Sequence, residues 1–187
     1  LPLSDEHWRV WDVAGPVSSA PSAWAVNGDV VSQRSNIYLG SATDVEPERE
    51  RYGTLRIYER ANDFGDGTIE LELRSGDDDG LGIAFRVQDE QHHYLWATDL
   101  QRTFRILAVK DGDRFRVLAK NDGTYQKGTW QHVKIVLDGP RVTVFVDGQE
   151  DLSAVDERFA QGSIALHSWG ADSVEFRRVR MQSQSSK

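Results

Sequence analysis

A chain of 187 residues with six Trp and no Cys is long enough for one sizeable core, and it has no disulfide, thiolate metal site or Cys nucleophile. Its formal net charge of −8 at pH 7 argues against nucleic acid and anionic membrane surfaces as partners. No apolar run reaches the roughly 18 residues of a membrane span.

The first residue is Leu1 rather than Met, which reads as a trimmed or mature N-terminus and favours a secreted or cell-surface bacterial protein. The run His7-Trp8-Arg9-Val10-Trp11-Asp12-Val13 predicts a short strand and then an irregular connection through Gly15-Pro16 and Pro21. Residues 24–31 predict a hairpin, with Asn27-Gly28 supplying the positive φ of a tight turn. Residues 35–39 predict a further strand. The charged stretch 43–52, with Glu46, Glu48, Arg49, Glu50 and Arg51 around Pro47, predicts a solvated loop.

Strands then follow at 54–58, 68–74, 80–88, 94–98, 103–110 and 114–120, and after a turn at Asn121-Asp122-Gly123 at 131–137, 141–146, 162–166 and 174–181. The separators are Asp-Gly and Asn-Asp-Gly turns. Residues 151–159 alone suggest a short helix or helical turn. Residues 182–187 read as a disordered polar tail. Short alternating strands with so little helix predict an all-β fold, a two-sheet antiparallel β-sandwich formed as one domain over residues 1–181.

Residues 74–112 carry the densest mixture of Asp, Arg, His and aromatic residues. Asp77, Asp78 and Asp79 between Gly76 and Gly80 could gather oxygens around Ca²⁺, or form a solvated charged turn. Arg86, His92, His93, Asp99, Arg102 and Arg105 alternate with Tyr94, Trp96 and Phe104. Sugar recognition uses such parts: Asp and Arg for paired hydroxyls, an aromatic face for the C–H surface. The alternative sends Tyr94 and Trp96 into the core. Trp169, where a strand gives way to a loop, is either a sugar platform or a rim residue closing the core. Glu70 and Glu72 share one strand face about 6.5–7 Å apart, superficially like a glycosidase carboxylate pair. Ser75 stands where a third carboxylate would complete that pattern. No histidine metal motif, nucleophile elbow, phosphate loop or dinucleotide fingerprint is present.

Two stretches carry a family signature. Ser75–Trp96, S-G-D-D-D-G-L-G-I-A-F-R-V-Q-D-E-Q-H-H-Y-L-W, resembles the acidic-loop strand pair of concanavalin A-like lectin/glucanase jelly-roll domains, including the thrombospondin C-terminal group and bacterial carbohydrate-binding modules. Gly128–Gly148, G-T-W-Q-H-V-K-I-V-L-D-G-P-R-V-T-V-F-V-D-G, resembles the laminin-G-type hairpin, and Gly162–Gly170, G-S-I-A-L-H-S-W-G, fits a closing strand of the same superfamily. The resemblance implies the fold more sharply than the ligand. It implies a structural Ca²⁺, with Asp77 and Asp79 or, nearer the termini, Asp12, Asp172 or Glu175 as ligands. The expected function is a non-catalytic, calcium-stabilised carbohydrate-binding module for a polysaccharide or its chain end. It would act as a monomer or as part of a multidomain protein. The expected contacts are Asp78, Asp79, Arg86, Asp99, Arg102 and Arg105 for hydroxyls, and Tyr94 or Trp169 for stacking. The same fold also hosts glycoside hydrolases, polysaccharide lyases and protein-binding adhesion domains, which stand as alternatives.

Overall fold

The computed structural model describes residues 1–13, 21–38 and 53–184. After a 3₁₀ turn at Asp5–His7, fourteen strands form two seven-stranded antiparallel sheets. Sheet I runs, in spatial order, β1 (Trp8–Asp12), β4 (Thr54–Tyr58), β13 (Ser163–Trp169), β6 (Gly80–Asp89), β7 (His92–Asp99), β8 (Phe104–Asp111) and β9 (Arg114–Asn121). Sheet II runs β12 (Gln149–Val155), β11 (Arg141–Val146), β10 (Gln131–Asp138), β5 (Gly67–Ser75), β14 (Val174–Ser183), β3 (Val30–Gln33) and β2 (Trp24–Asn27). The all-β, two-sheet antiparallel sandwich expected from the sequence is the fold observed.

The two sheets obey the same period and differ in what lies outside them. In β5 the side chains alternate, with Ile69, Leu71 and Leu73 fully buried and Glu70, Glu72 and Arg74 on the other face. The central strands of sheet I, β4, β13, β6, β7 and β8, are buried on both faces. Leu81, Ile83, Phe85, Tyr94, Trp96 and Leu107 enter the core between the sheets. Their neighbours Ala84, Leu95, Ala97, Ile106 and Ala108 form a second apolar cluster with Ala165 on the outer face. That is why β6, β7 and β8 read as almost unbroken apolar runs. At one side of the sandwich the terminal strands β9 and β12 meet. Asp151 holds them, accepting bonds from Trp96 Nε1, Arg105 Nη1 and Asn121 Nδ2.

Three expectations need correcting. No strand forms over residues 35–38; the amide of Gln33 bonds both the N–H and the carbonyl of Ser35, so a side chain takes the place of a neighbouring strand. Residues 151–159 are not helical. β12 pairs with β11 up to Val155, and Asp156 then closes a turn by accepting the N–H of Arg158. Gln182 and Ser183, expected in the polar tail, instead belong to β14 and pair with Thr68 and Gly67. The charged stretch 43–52 lies outside the described residues. Among the described residues, no helix is long and apolar enough to cross a membrane.

Gly82 permits the close approach of β6 to β7. A Cβ there would sit 2.1 Å from the carbonyl oxygen of Trp96 and 2.8 Å from Cα of Ala97. Gly82→Ala is therefore expected to cost about 1–3 kcal/mol, read as a lowered midpoint of urea unfolding with an unchanged slope.

Candidate functional site

One end of the sandwich is built from four segments: the β5–β6 loop, the β7–β8 turn, the chain after β13 and residues 34–38. The acidic loop is folded by its own backbone. Asp77 accepts the N–H groups of Asp78 and Asp172 on its carboxylate, at 2.8 and 3.1 Å. The carbonyl of Asp78 takes the N–H groups of Leu100 and Gln101, which binds this loop to the β7–β8 turn. The buried Tyr125 hydroxyl lies 3.0 Å from the carbonyl oxygen of Asp77 and 2.6 Å from that of Asp79.

Arg102 is the centre of this end. Its side chain is 2% exposed, with Nη1 2.7 Å from Asp79 Oδ1 and 3.1 Å from Asp99 Oδ2. Its guanidinium carbon sits 4.3 Å from the ring centroid of Trp169, a cation–π contact in a place with little water. Asp99 is fully buried and also accepts the N–H of Arg102. Burial pushes the Asp99 carboxyl above the usual carboxylate range, against the opposing pull of Arg102. Gly170, at φ 70°, lets Asp79 in close: a Cβ there would lie 3.0 Å from Asp79 Cγ.

Above this cluster is a cavity of about 100 Å³ lined by Asn36, Tyr38, Asp79, Gln101, Arg102 and Trp169. The Tyr38 ring meets Trp169 edge-on, with centroids 6.3 Å apart. A tighter recess on the outer face of sheet I is lined by Asp99, Phe104, Phe115, His167 and Trp169. His167 and His93, 5% and 6% exposed, lie among the small residues of this face. Burial, with repulsion from His93, pushes His167 down to about 3. Burial, with Lys110 and His92 contributing, lowers His93 to about 4. Both are neutral at pH 7. Among the described residues, His167 Nδ1 has no hydrogen-bond partner.

Of the residues expected to contact a ligand, Asp79, Asp99, Arg102 and Trp169 come together here. Asp99, Arg102 and Trp169 are buried, so Trp169 closes the core rim and is not an exposed platform. Asp78 is partly exposed beside Lys127, 3.5 Å away. Tyr94 is fully buried and cannot stack on a ligand: it stacks on Phe85 and bonds Asp156 Oδ1 at 2.7 Å. Arg105 is committed to Asp151 and the carbonyl of Thr124. Arg86 lies at the opposite end of β6. Left-handed at φ 47° and 2% exposed, it clamps the carbonyls of Phe159 and Gly139 together with Asp66. It forms the floor of a second cavity of about 410 Å³, whose walls include Asp66, Pro140, Glu157 and Phe159.

The expected calcium ligands include Asp12, Asp77, Asp79 and Asp172, and Asp77 meets Asp172 through the backbone N–H of Asp172. Asp12 accepts the N–H of Ser22, Asp77 accepts backbone N–H groups and Asp79 faces a guanidinium. No group of three or more His, Asp or Glu among the described residues is arranged to hold a metal. Of the carboxylate pair Glu70 and Glu72, Glu72 is held by two arginines. Burial raises Glu72, but hydrogen bonds from Arg177 and Arg178, each 2.6 Å, outweigh it and hold the carboxyl below its usual range.

Asn36, Tyr38, Gln101 and His167 are the lining residues that sequence reasoning missed. The first two fall in the misread segment 35–39, and Gln101 sits beside Arg102 in a turn. His167 was legible only as one residue of a strand.

A family model described as a 3-keto-alpha-glucoside-1,2-lyase-like domain matches residues 10–182. Among curated proteins, none matches the chain significantly. The chain is structurally similar to the carbohydrate binding module CBM66 from Bacillus subtilis, at 18% identity and TM-score 0.72, covering 95% of this chain and 96% of that one. It is similar to a prokaryotic β-1,3-1,4-glucanase (lichenase) from a mouse hindgut metagenome at 12% identity and TM-score 0.61, covering 97% and 95%. A Bacillus subtilis protein of unknown function with a galectin-like fold gives 10% identity and TM-score 0.64, covering 94% and 88%. These likenesses establish the fold.

The two buried histidines set an acid limit on stability. Unfolded imidazoles take up protons below about pH 6.5, while His93 and His167 in the fold wait until about 4 and about 3. The unfolded state then binds more protons, so stability is full above pH 6.5 and falls as pH drops. Each histidine contributes a slope of about 1.4 kcal/mol per pH unit. Urea titrations between pH 7 and pH 4 should show His167→Asn losing about one such increment of slope relative to the parent.

Proposed function

The chain belongs to that family, and we propose that it is a non-catalytic domain binding the end of a carbohydrate chain in the Asn36–Tyr38–Gln101 cavity. The observation that carries this reading is the grouping of two amides, the Asp79 carboxylate and two aromatic rings around one cavity of about 100 Å³. Amides and a carboxylate suit paired sugar hydroxyls, and Tyr38 suits the C–H surface. The volume is well below the roughly 300–1,000 Å³ of a drug-sized site, which favours a single terminal ring over a chain lying across. Arg102 and Asp99 hold the floor rigid beneath that ring. Two of the structurally similar proteins are, by name, a carbohydrate binding module and a glucanase, in keeping with a sugar ligand.

The family description favours a second reading, elimination from a 3-keto glucoside. The carbonyl acidifies the C2 proton; a base removes it, the C1–C2 double bond forms, and the C1 substituent leaves with the bonding pair and is then protonated. His167, which flanks the recess, would be the base. Held down to about 3, it is a poor match for that proton, and Asp99 is committed to Arg102. Binding is therefore the preferred reading.

The test is a glycan array followed by calorimetry on any neutral oligosaccharide that binds. Asn36→Ala and Gln101→Ala, both at exposed residues, are expected to weaken binding about tenfold or more, about 1.4 kcal/mol each, with no change in Tm. Silence on the array, with aglycone release from a 3-keto glucoside that His167→Gln abolishes, would replace binding by elimination.

A further inference from the structure

The outer face of sheet II carries a cluster of cations in a chain of negative net charge. Alternation in β5 and β10 puts Glu70, Glu72, Arg74, His132 and Lys134 on this face, with Glu175 beside Arg74 on β14. β14 adds more than alternation allows. Its pairing with β5 shifts register between Arg177 and Arg180, Arg178 adopts φ 54°, and Val179 turns inward at 2% exposed. The bulge leaves Arg177, Arg178 and Arg180 together on the outer side, through a left-handed arginine that L side chains disfavour.

Around the β14 bulge this face brings together five cations, Arg74, Lys134, Arg177, Arg178 and Arg180, and the carboxylates of Glu70, Glu72 and Glu175, in a chain whose net charge is −8. Glu72 is shared by Arg177 and Arg178, and Glu175 by Arg74 and Arg34. Arg180 has no ion pair or hydrogen bond among the described residues, and with Arg178, Glu70, Glu72 and His132 it lines a depression of about 380 Å³. Beside it, the partly exposed indole of Trp130 has the guanidinium carbons of Arg74 and Arg177 at 4.5 and 4.1 Å from its ring centroid.

We propose that this face binds an acidic polysaccharide of the uronate type, with its carboxylates taken by Arg178 and Arg180 and a ring laid against Trp130. Arginine forks bind carboxylates in pairs, and the interleaved glutamates accept the hydroxyls that separate those carboxylates along a uronate chain. Duplex nucleic acid, with about one negative charge per 1.7 Å, would meet the same glutamates as repulsion. The site lies on the other sheet from the Asn36–Gln101 cavity and does not depend on it.

Affinity electrophoresis through gels containing polygalacturonate, alginate, neutral dextran or poly-L-glutamate tests the proposal. The protein should be retarded by at least one uronate polymer and by neither dextran nor poly-L-glutamate. Arg178→Ser/Arg180→Ser should weaken that retardation at least tenfold and Trp130→Ala less so, each with a parental Tm, while Asn36→Ala and Gln101→Ala leave it unchanged. Retardation by neither uronate polymer, equal retardation by poly-L-glutamate, or full retardation of the double variant and Trp130→Ala would each overturn it.

Discussion

Arg102 carries its charge with almost no water around it, and the loop end of the sandwich is arranged to make that possible. Taking a guanidinium out of water costs several kcal/mol unless carboxylates and further hydrogen bonds replace the hydration. Asp79 from the β5–β6 loop and Asp99 from the end of β7 supply the opposite charge, and Trp169 from the end of β13 supplies a π-face. Three segments distant in sequence are thereby fixed to one side chain. Removing one member would leave the others buried and uncompensated, a loss of about 3–5 kcal/mol. The cluster therefore acts as a rigid floor, and the residues free to meet a ligand are those around its rim.

The two sheets divide the work through their outer faces. The central strands of sheet I are apolar on both sides, and their outer face is floored by Ala84, Ala97, Ala108 and Ala165 with Gly82 opposite His167. Small side chains leave room at the surface, and the recess bounded by His167, Phe115 and Trp169 opens where this face meets the loop end. Sheet II has one buried face and one solvated face. Its outer charges are paired across strands, Glu72 with Arg177 and Glu175 with Arg74, between partly exposed side chains.

Strand positions were legible because period-2 alternation and Asp-Gly turns are local signals. The misreadings came where a side chain replaced a strand partner, at Gln33, and where an acidic stretch near residue 151 proved to be a terminal strand held by its carboxylate. The site was legible in part. Asp79, Asp99, Arg102 and Trp169 lie close to turns and do converge, although three of them are buried. Tyr94, Arg86 and Arg105 carry the same chemistry yet serve the interior, because sequence fixes neither which end of a strand faces the loops nor where a bulge re-aims a residue. The left-handed backbone of Arg86 is such a case. In the Asp77–Asp79 run, composition shows three carboxylates on one loop. Composition does not show that one carboxylate would turn to backbone N–H groups and another to a guanidinium.

The central claim is that a sugar end sits on the rim of the Arg102 cluster. An amide and indole NMR titration with a neutral oligosaccharide that binds would test it most directly, because Trp169 and Trp130 report separately on the two candidate faces. The account predicts shifts at the Trp169 indole and at the side-chain amides of Asn36 and Gln101, with the Trp130 indole unmoved. Shifts confined to residues around Arg86, such as Gly139, Phe159 and Ala160, would contradict it and move the site to the opposite end of the sandwich.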